Sequence, residues 1–217
     1  MKKNNPVKGL IIYTFYSANG NITMISPAIF LLGIIMAVTG TLFMYQIYMA
    51  FGIAVLSCTL IMNAHKDSAS KWSKFQLALP VKRSNVVTAN YLGHLFMLFA
   101  SILLAGILIG LGVTLNESLM ENISGYVFTY IAYCVGISLV ACAVFYPIIY
   151  TVGASKEEGI YTVSLLAAGG FLSLIWWMGR WYNISYTTIS ILQITISSAL
   201  FTASYLLTTK IYAKKDL

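Results

Sequence analysis

The chain has 217 residues, of which 59% are hydrophobic and only 9% charged, with a net charge of +7 and a mean hydropathy of +0.82. Soluble domains carry about a quarter charged residues, and no single aqueous core accommodates this much apolar surface. The composition excludes a soluble domain and predicts an all-α integral membrane protein.

In chain order, the first apolar stretch is short and aromatic. Residues 7–18, beginning VKGLIIYTFYS, predict a helix lying at the interface, with Lys2, Lys3 and Lys8 toward lipid headgroups. A cleaved signal peptide fits less well, because tyrosines break the apolar run and another span follows at once. No Lys, Arg, Asp or Glu occurs from Gly9 to Ala64. That length suits two further spans, at about residues 22–44 and 46–63. The turn between them is expected near Tyr45, Gln46 and Tyr48, where tyrosines suit an interfacial belt.

Next comes the one long polar segment, Asn63 to Asn90, with Lys66, Lys71, Lys74, Lys82 and Arg83. Four more spans follow, at about 87–115, 125–151, 159–178 and 186–209. Pro147 is expected to kink the fourth. The segment Gly179–Asn183 reads as aromatic and interfacial.

Six spans place both termini on one side. Twelve of the thirteen Lys and Arg residues then share that side, and only Arg180 lies opposite. The positive-inside rule makes both termini and the basic loop cytoplasmic. The net charge is therefore a topology signal and an attraction to anionic headgroups. Nucleic-acid binding needs a basic face on a soluble domain, for which there is no room.

Few chemical sites stand out. Cys58, Cys134 and Cys142 lie inside spans without a CxxC, so they form neither a disulfide framework nor a zinc site. His65 sits beside Asp67 without further ligands, and His94 lies just inside the third span without an acidic partner. No metal site is expected. All six carboxylates (Asp67, Glu117, Glu121, Glu157, Glu158 and Asp216) fall outside the spans, which argues against an ion-coupled carrier. Gly106 and Gly110 form a GxxxG that permits close helix contact. Gly169 and Gly170 permit either an unwound stretch or close packing, and with Trp176 and Trp177 they are candidates to line a path. The dipeptide Gly-Lys never occurs, so no phosphate-binding loop is present and no catalytic residue is expected.

The string Trp72-Ser73-Lys74-Phe75-Gln76-Leu77-Ala78-Leu79-Pro80-Val81-Lys82-Arg83-Ser84, followed by Val86-Val87 and Tyr91 and preceded by Asp67, resembles the signature of ABC-2 type permeases. In small Gram-positive members, including exporters of bacteriocins, antimicrobial peptides and phenol-soluble modulins, an acidic and then an aromatic residue precede "LPVKR" or "LPVSR". The resemblance implies the type V exporter plan: an interfacial helix, six spans and inside termini in a bacterial plasma membrane. It further implies that residues 64–86 are a coupling loop docking on a separate ABC ATPase. That partner would bind ATP and Mg, leaving this chain without a cofactor. Asp67, Lys71, Trp72, Phe75, Leu79, Pro80, Lys82 and Arg83 would form the docking element. Trp72, Phe75 and Leu79 do share one helical face by spacing, with Pro80 ending the helix. The same face could instead lie on lipid. A second permease copy, identical or paralogous, would complete the complex. Uncharged, aromatic spans suit an amphipathic or hydrophobic cargo, with a peptide favoured. The alternative is a non-transporting immunity or assembly factor that binds a partner helix.

Overall fold

The computed structural model describes residues 6–63, 82–115, 125–153 and 156–214. Helix α1 (Pro6–Thr39) opens with proline at its first position, where a missing N–H costs nothing. It runs unbroken through the expected interfacial segment and the expected first span. The separate interfacial helix is therefore replaced by one rod of about 51 Å, at ~1.5 Å rise per residue. The reason is packing. Leu10 joins a buried cluster with Cys58, Ile61 and Val86, and Phe15 packs on the cluster holding Ala18 and Ile29.

The rod ends at Gly40, whose φ of 61° is open to glycine at little cost. Its N–H closes on the Met36 carbonyl at 2.9 Å. Thr41 then caps the next helix by accepting from the Met44 N–H at 3.4 Å. The turn thus falls at Gly40–Thr41, before the tyrosines expected to mark it. Tyr45 and Tyr48 are fully buried inside the bundle rather than exposed on its surface.

From residue 42 to 63 the chain stays helical but changes type. An α segment, α2 (Leu42–Met49), passes into a π-helix (Ala50–Val55) and finishes as a 3₁₀ helix (Cys58–Asn63). This composite returns along the bundle. Gln46 donates to the Tyr130 hydroxyl at one end, and Ile61 meets Val86 at the other.

Four regular helices complete the bundle: α3 (Arg83–Leu115), α4 (Val127–Val152), α5 (Glu157–Trp181) and α6 (Tyr186–Ala213). Among the described residues, α1, α3, α4, α5 and α6 are each long and apolar enough to cross a membrane. Helix α4 has its largest interface with α6 and lies at the centre, with α5 outside it.

Helix α4 continues through Pro147. Proline supplies no N–H to the carbonyl four residues back, here Ala143. Ser204 Oγ of α6 donates to that carbonyl at 2.7 Å. The defect in α4 is thus satisfied by its neighbour, as a low-dielectric interior requires.

Only four residues join α5 to α6, so no half-helices lie between the last two passes. Helix α5 extends through Trp181, past the expected end at 178. It stops at Asn183, which takes φ 53°, while the Ile184 N–H reaches back to the Gly179 carbonyl at 2.9 Å. Ser185 then caps α6 by accepting from the Thr188 N–H at 3.3 Å.

Candidate functional site

Six of the eight expected docking residues (Asp67, Lys71, Trp72, Phe75, Leu79 and Pro80) lie outside the described residues. So does His65. The structure does describe the two attachments of that loop. On one side the 3₁₀ helix buries Cys58, Thr59, Leu60 and Ile61. On the other, the Lys82 carbonyl accepts the Asn85 N–H at 2.8 Å as α3 begins. Arg83 Nη1 donates to the Ala213 carbonyl at the end of α6, at 3.4 Å. That carbonyl is an unpaired helix C-terminal group, which attracts a cation. Both attachments enter one cluster with Val86, Val87, Tyr91, Tyr146 and Tyr212.

Above this platform the interior is apolar but threaded by hydroxyls. Tyr91 lies 2.8 Å from Ser204 Oγ and 2.9 Å from Thr208 Oγ1. Thr88 meets the Tyr205 hydroxyl at 3.0 Å. Deeper in, His94 is fully buried, with Nε2 3.1 Å from Ser138 Oγ. Ser138 in turn lies 2.6 Å from Ser57, just beyond the π segment. This chain ties α3 and α4 to the composite helix. His94 Nδ1 has no partner, and no carboxylate side chain is described near it. The arrangement positions helices. Among the described residues no cluster of three or more His, Cys, Asp or Glu could hold a metal. The three cysteines are buried and free.

Two open clefts flank the α4–α6 pair. The first, about 490 Å³, lies toward the loop attachments between α3, α4 and α6. Thr88, Tyr91, Tyr205 and Thr202 supply hydroxyls, and Leu92, Leu95 and Leu139 supply apolar wall. The second, about 320 Å³, lies at the far end between α4, α5 and α6. Its walls are Tyr126, Thr129, Tyr130, Tyr133, Ser173, Trp176, Arg180 and Tyr186. Of the four expected path residues, Trp176 lines the second of these two clefts; Trp177 is 61% exposed on the outer face of α5.

Gly169 and Gly170 sit in unbroken helix, and a side-chain carbon at either would meet nothing. They are neither unwound nor closely packed within the chain. The same is true of Gly106 and Gly110. The close approach falls instead at Gly136, where an added carbon would stand 3.0 Å from Leu172 and 3.2 Å from Ser197.

The spacing of chemistry-bearing residues did not point to either cleft. The second is built from residues of three helices whose shared signal is aromatic content near span ends. The first draws on hydroxyls that read individually as ordinary membrane-helix residues. No curated protein and no solved structure matches the chain. The family described as ABC-2 family transporter protein matches residues 9–213, nearly the whole chain and every helix just described, and the chain therefore belongs to that family.

Proposed function

We propose that this chain is the permease subunit of an ATP-binding-cassette exporter, moving an amphipathic or hydrophobic cargo, most simply a peptide, out of a bacterial cell. Membership in the family makes it a transport component of the membrane and implies an ABC ATPase subunit as partner. In this reading the composite 42–63 run is a sixth span, both termini are cytoplasmic, and a second permease copy, identical or paralogous, lies across the membrane plane. ATP and Mg are held by the ATPase.

One observation carries the coupling assignment. The expected coupling segment, residues 64–86, follows directly on the helix with the least regular hydrogen bonding among the described residues. That helix is also buried: Tyr45, Tyr48, Met49 and Ile53 are all fully enclosed. A π stretch changes register more readily than a uniform α-helix and recurs at functional sites. Displacement of the loop by a closing ATPase would reach the interior through Ser57 and its contact with Ser138. The two clefts support a path alternating between the two ends, beside α4 and α6.

The test is co-purification with the cognate ATPase, together with ATP hydrolysis by the complex in lipid. Trp72→Ala with Phe75→Ala is expected to remove binding and the hydrolysis it supports, while the permease alone still folds. Undiminished association of the double variant would overturn the coupling assignment.

A further inference from the structure

We propose that the far-end cleft is a binding site for the oxyanion head of an amphiphile, a carboxylate or phosphate borne on an apolar chain. The role of this site in export rests on the permease reading; the binding itself does not.

The lining is rich in donors. It combines the Arg180 guanidinium with hydroxyls of Tyr126, Tyr130, Tyr133 and Ser173. Among the described residues no carboxylate belongs to it. Glu158 is the one acidic residue whose side chain is described, and it begins the helix that Arg180 ends. Arg180 is also the one Lys or Arg expected at this end of the bundle.

Its orientation is fixed by stacking. The guanidinium carbon lies 4.6 Å from the Tyr186 ring centre, and Trp176 stacks on that same ring at 5.5 Å with an interplanar angle of 13°. Stacking holds the guanidinium plane and leaves its N–H edge available. That edge matches two oxygens of a carboxylate or phosphate. The Tyr133 hydroxyl, held 3.0 Å from Ser173 Oγ, presents a further polar group in the cleft.

Size and surroundings select an amphiphile over a bare ion. About 320 Å³ corresponds to about ten water volumes at ~30 Å³ each. That suits a headgroup with the first part of its chain, and it is too small for a folded peptide. Beside the cleft, the adjacent face of α5 exposes Leu174, Trp177, Met178 and Trp181, an apolar surface for the remaining chain.

The experiment uses the full-length permease alone, so its outcome is independent of ATPase coupling. The probe is 11-(dansylamino)undecanoic acid, read by the rise in dansyl emission, against its methyl ester. The acid is expected to bind at least about tenfold more tightly, the scale of a charge-assisted pair. Arg180→Gln should abolish that preference and leave ester binding unchanged, which also shows that the variant folds. Arg180→Lys should retain part of it. Equal binding of acid and ester, or no effect of Arg180→Gln, overturns the proposal. Displacement by inorganic phosphate together with no binding of the ester would make this a free-anion site and overturn it too. Acid binding that arises only in Glu117→Gln with Glu121→Gln would mean that the loop acids occupy the guanidinium, with the same consequence.

Discussion

Helices α4 and α5 follow one another in the chain and have similar length, yet they solve opposite problems. In its most apolar window α4 buries 50% of its residues, and α5 only 22%. Helix α4 is enclosed on several sides and carries Ala132, Gly136, Ser138, Ala141, Cys142 and Ala143 at buried positions. Small residues let backbones approach where no hydrophobic force drives helices together. Helix α5 buries a single stripe, Ile160, Ser164, Ala168 and Leu172, at intervals of four. Its remaining surface is large and apolar: Val163, Leu166, Phe171, Leu174 and Trp177. Both helices are hydrophobic enough to span a membrane. What separates them is the placement of small residues, not hydropathy.

The sharpest test of that contrast places the same substitution on both helices. Gly136→Leu would drive side-chain atoms into Leu172 and Ser197 and force α4 from α5 and α6. Overpacking of this kind costs ~1–3 kcal/mol or more. A large fall in thermal stability, followed by size-exclusion recovery after heating, is expected. Gly170→Leu meets nothing within the chain and should leave the same measurement unchanged. Equal damage from both would erase the distinction between a central and a peripheral helix.

A smaller effect concerns how α4 tolerates its proline. Ser204→Ala removes the donor to the Ala143 carbonyl and a contact with Tyr91. Leaving a buried polar group unpaired costs ~1–3 kcal/mol. Pro147→Ala restores a backbone N–H four residues after Ala143. In that background Ser204→Ala should cost measurably less. A double-mutant cycle on thermal unfolding in detergent reads the coupling, and strict additivity would show that Ser204 does not compensate for Pro147.

The smallest effect lies at the exit of α5. Asn183 holds φ 53°, which glycine adopts freely and β-branched residues resist. Asn183→Gly should be nearly neutral, and Asn183→Val should cost ~1–2 kcal/mol. A neutral valine would mean that the turn to α6 is not held as described.

The legible part of the fold was the part set by solvent. Apolar blocks placed α3, α4 and α6 within a few residues, since each is bounded by polar segments. The first hairpin was misplaced because Tyr45 and Tyr48 read as exposed at an interface, whereas both are buried, Tyr45 against Tyr130 of α4 and Tyr48 beside Gly33 of α1. Gly40, the actual turn, lies inside an uncharged run and is flanked only by Thr39 and Thr41. Gly169 and Gly170 show the same limit of sequence: a glycine pair signals freedom or proximity, and only the neighbours decide which. Of the expected path, Trp176 reached a cleft because it faces α6, while Trp177, one residue on, points outward.

The sequence by itself determined that the chain belongs in a membrane, that it is helical, and that its charges cluster between the apolar blocks rather than within them. Those properties follow from transfer free energies and backbone hydrogen bonding, which depend on composition and local order. The tertiary structure alone decided which helix is central, which hydroxyls meet, how the Ala143 carbonyl finds a donor, and that Arg180 comes to lie over Tyr186 beside Trp176. Those are contacts between residues on different helices, and in lipid they are chosen by shape and by paired polar groups, which no hydropathy pattern encodes.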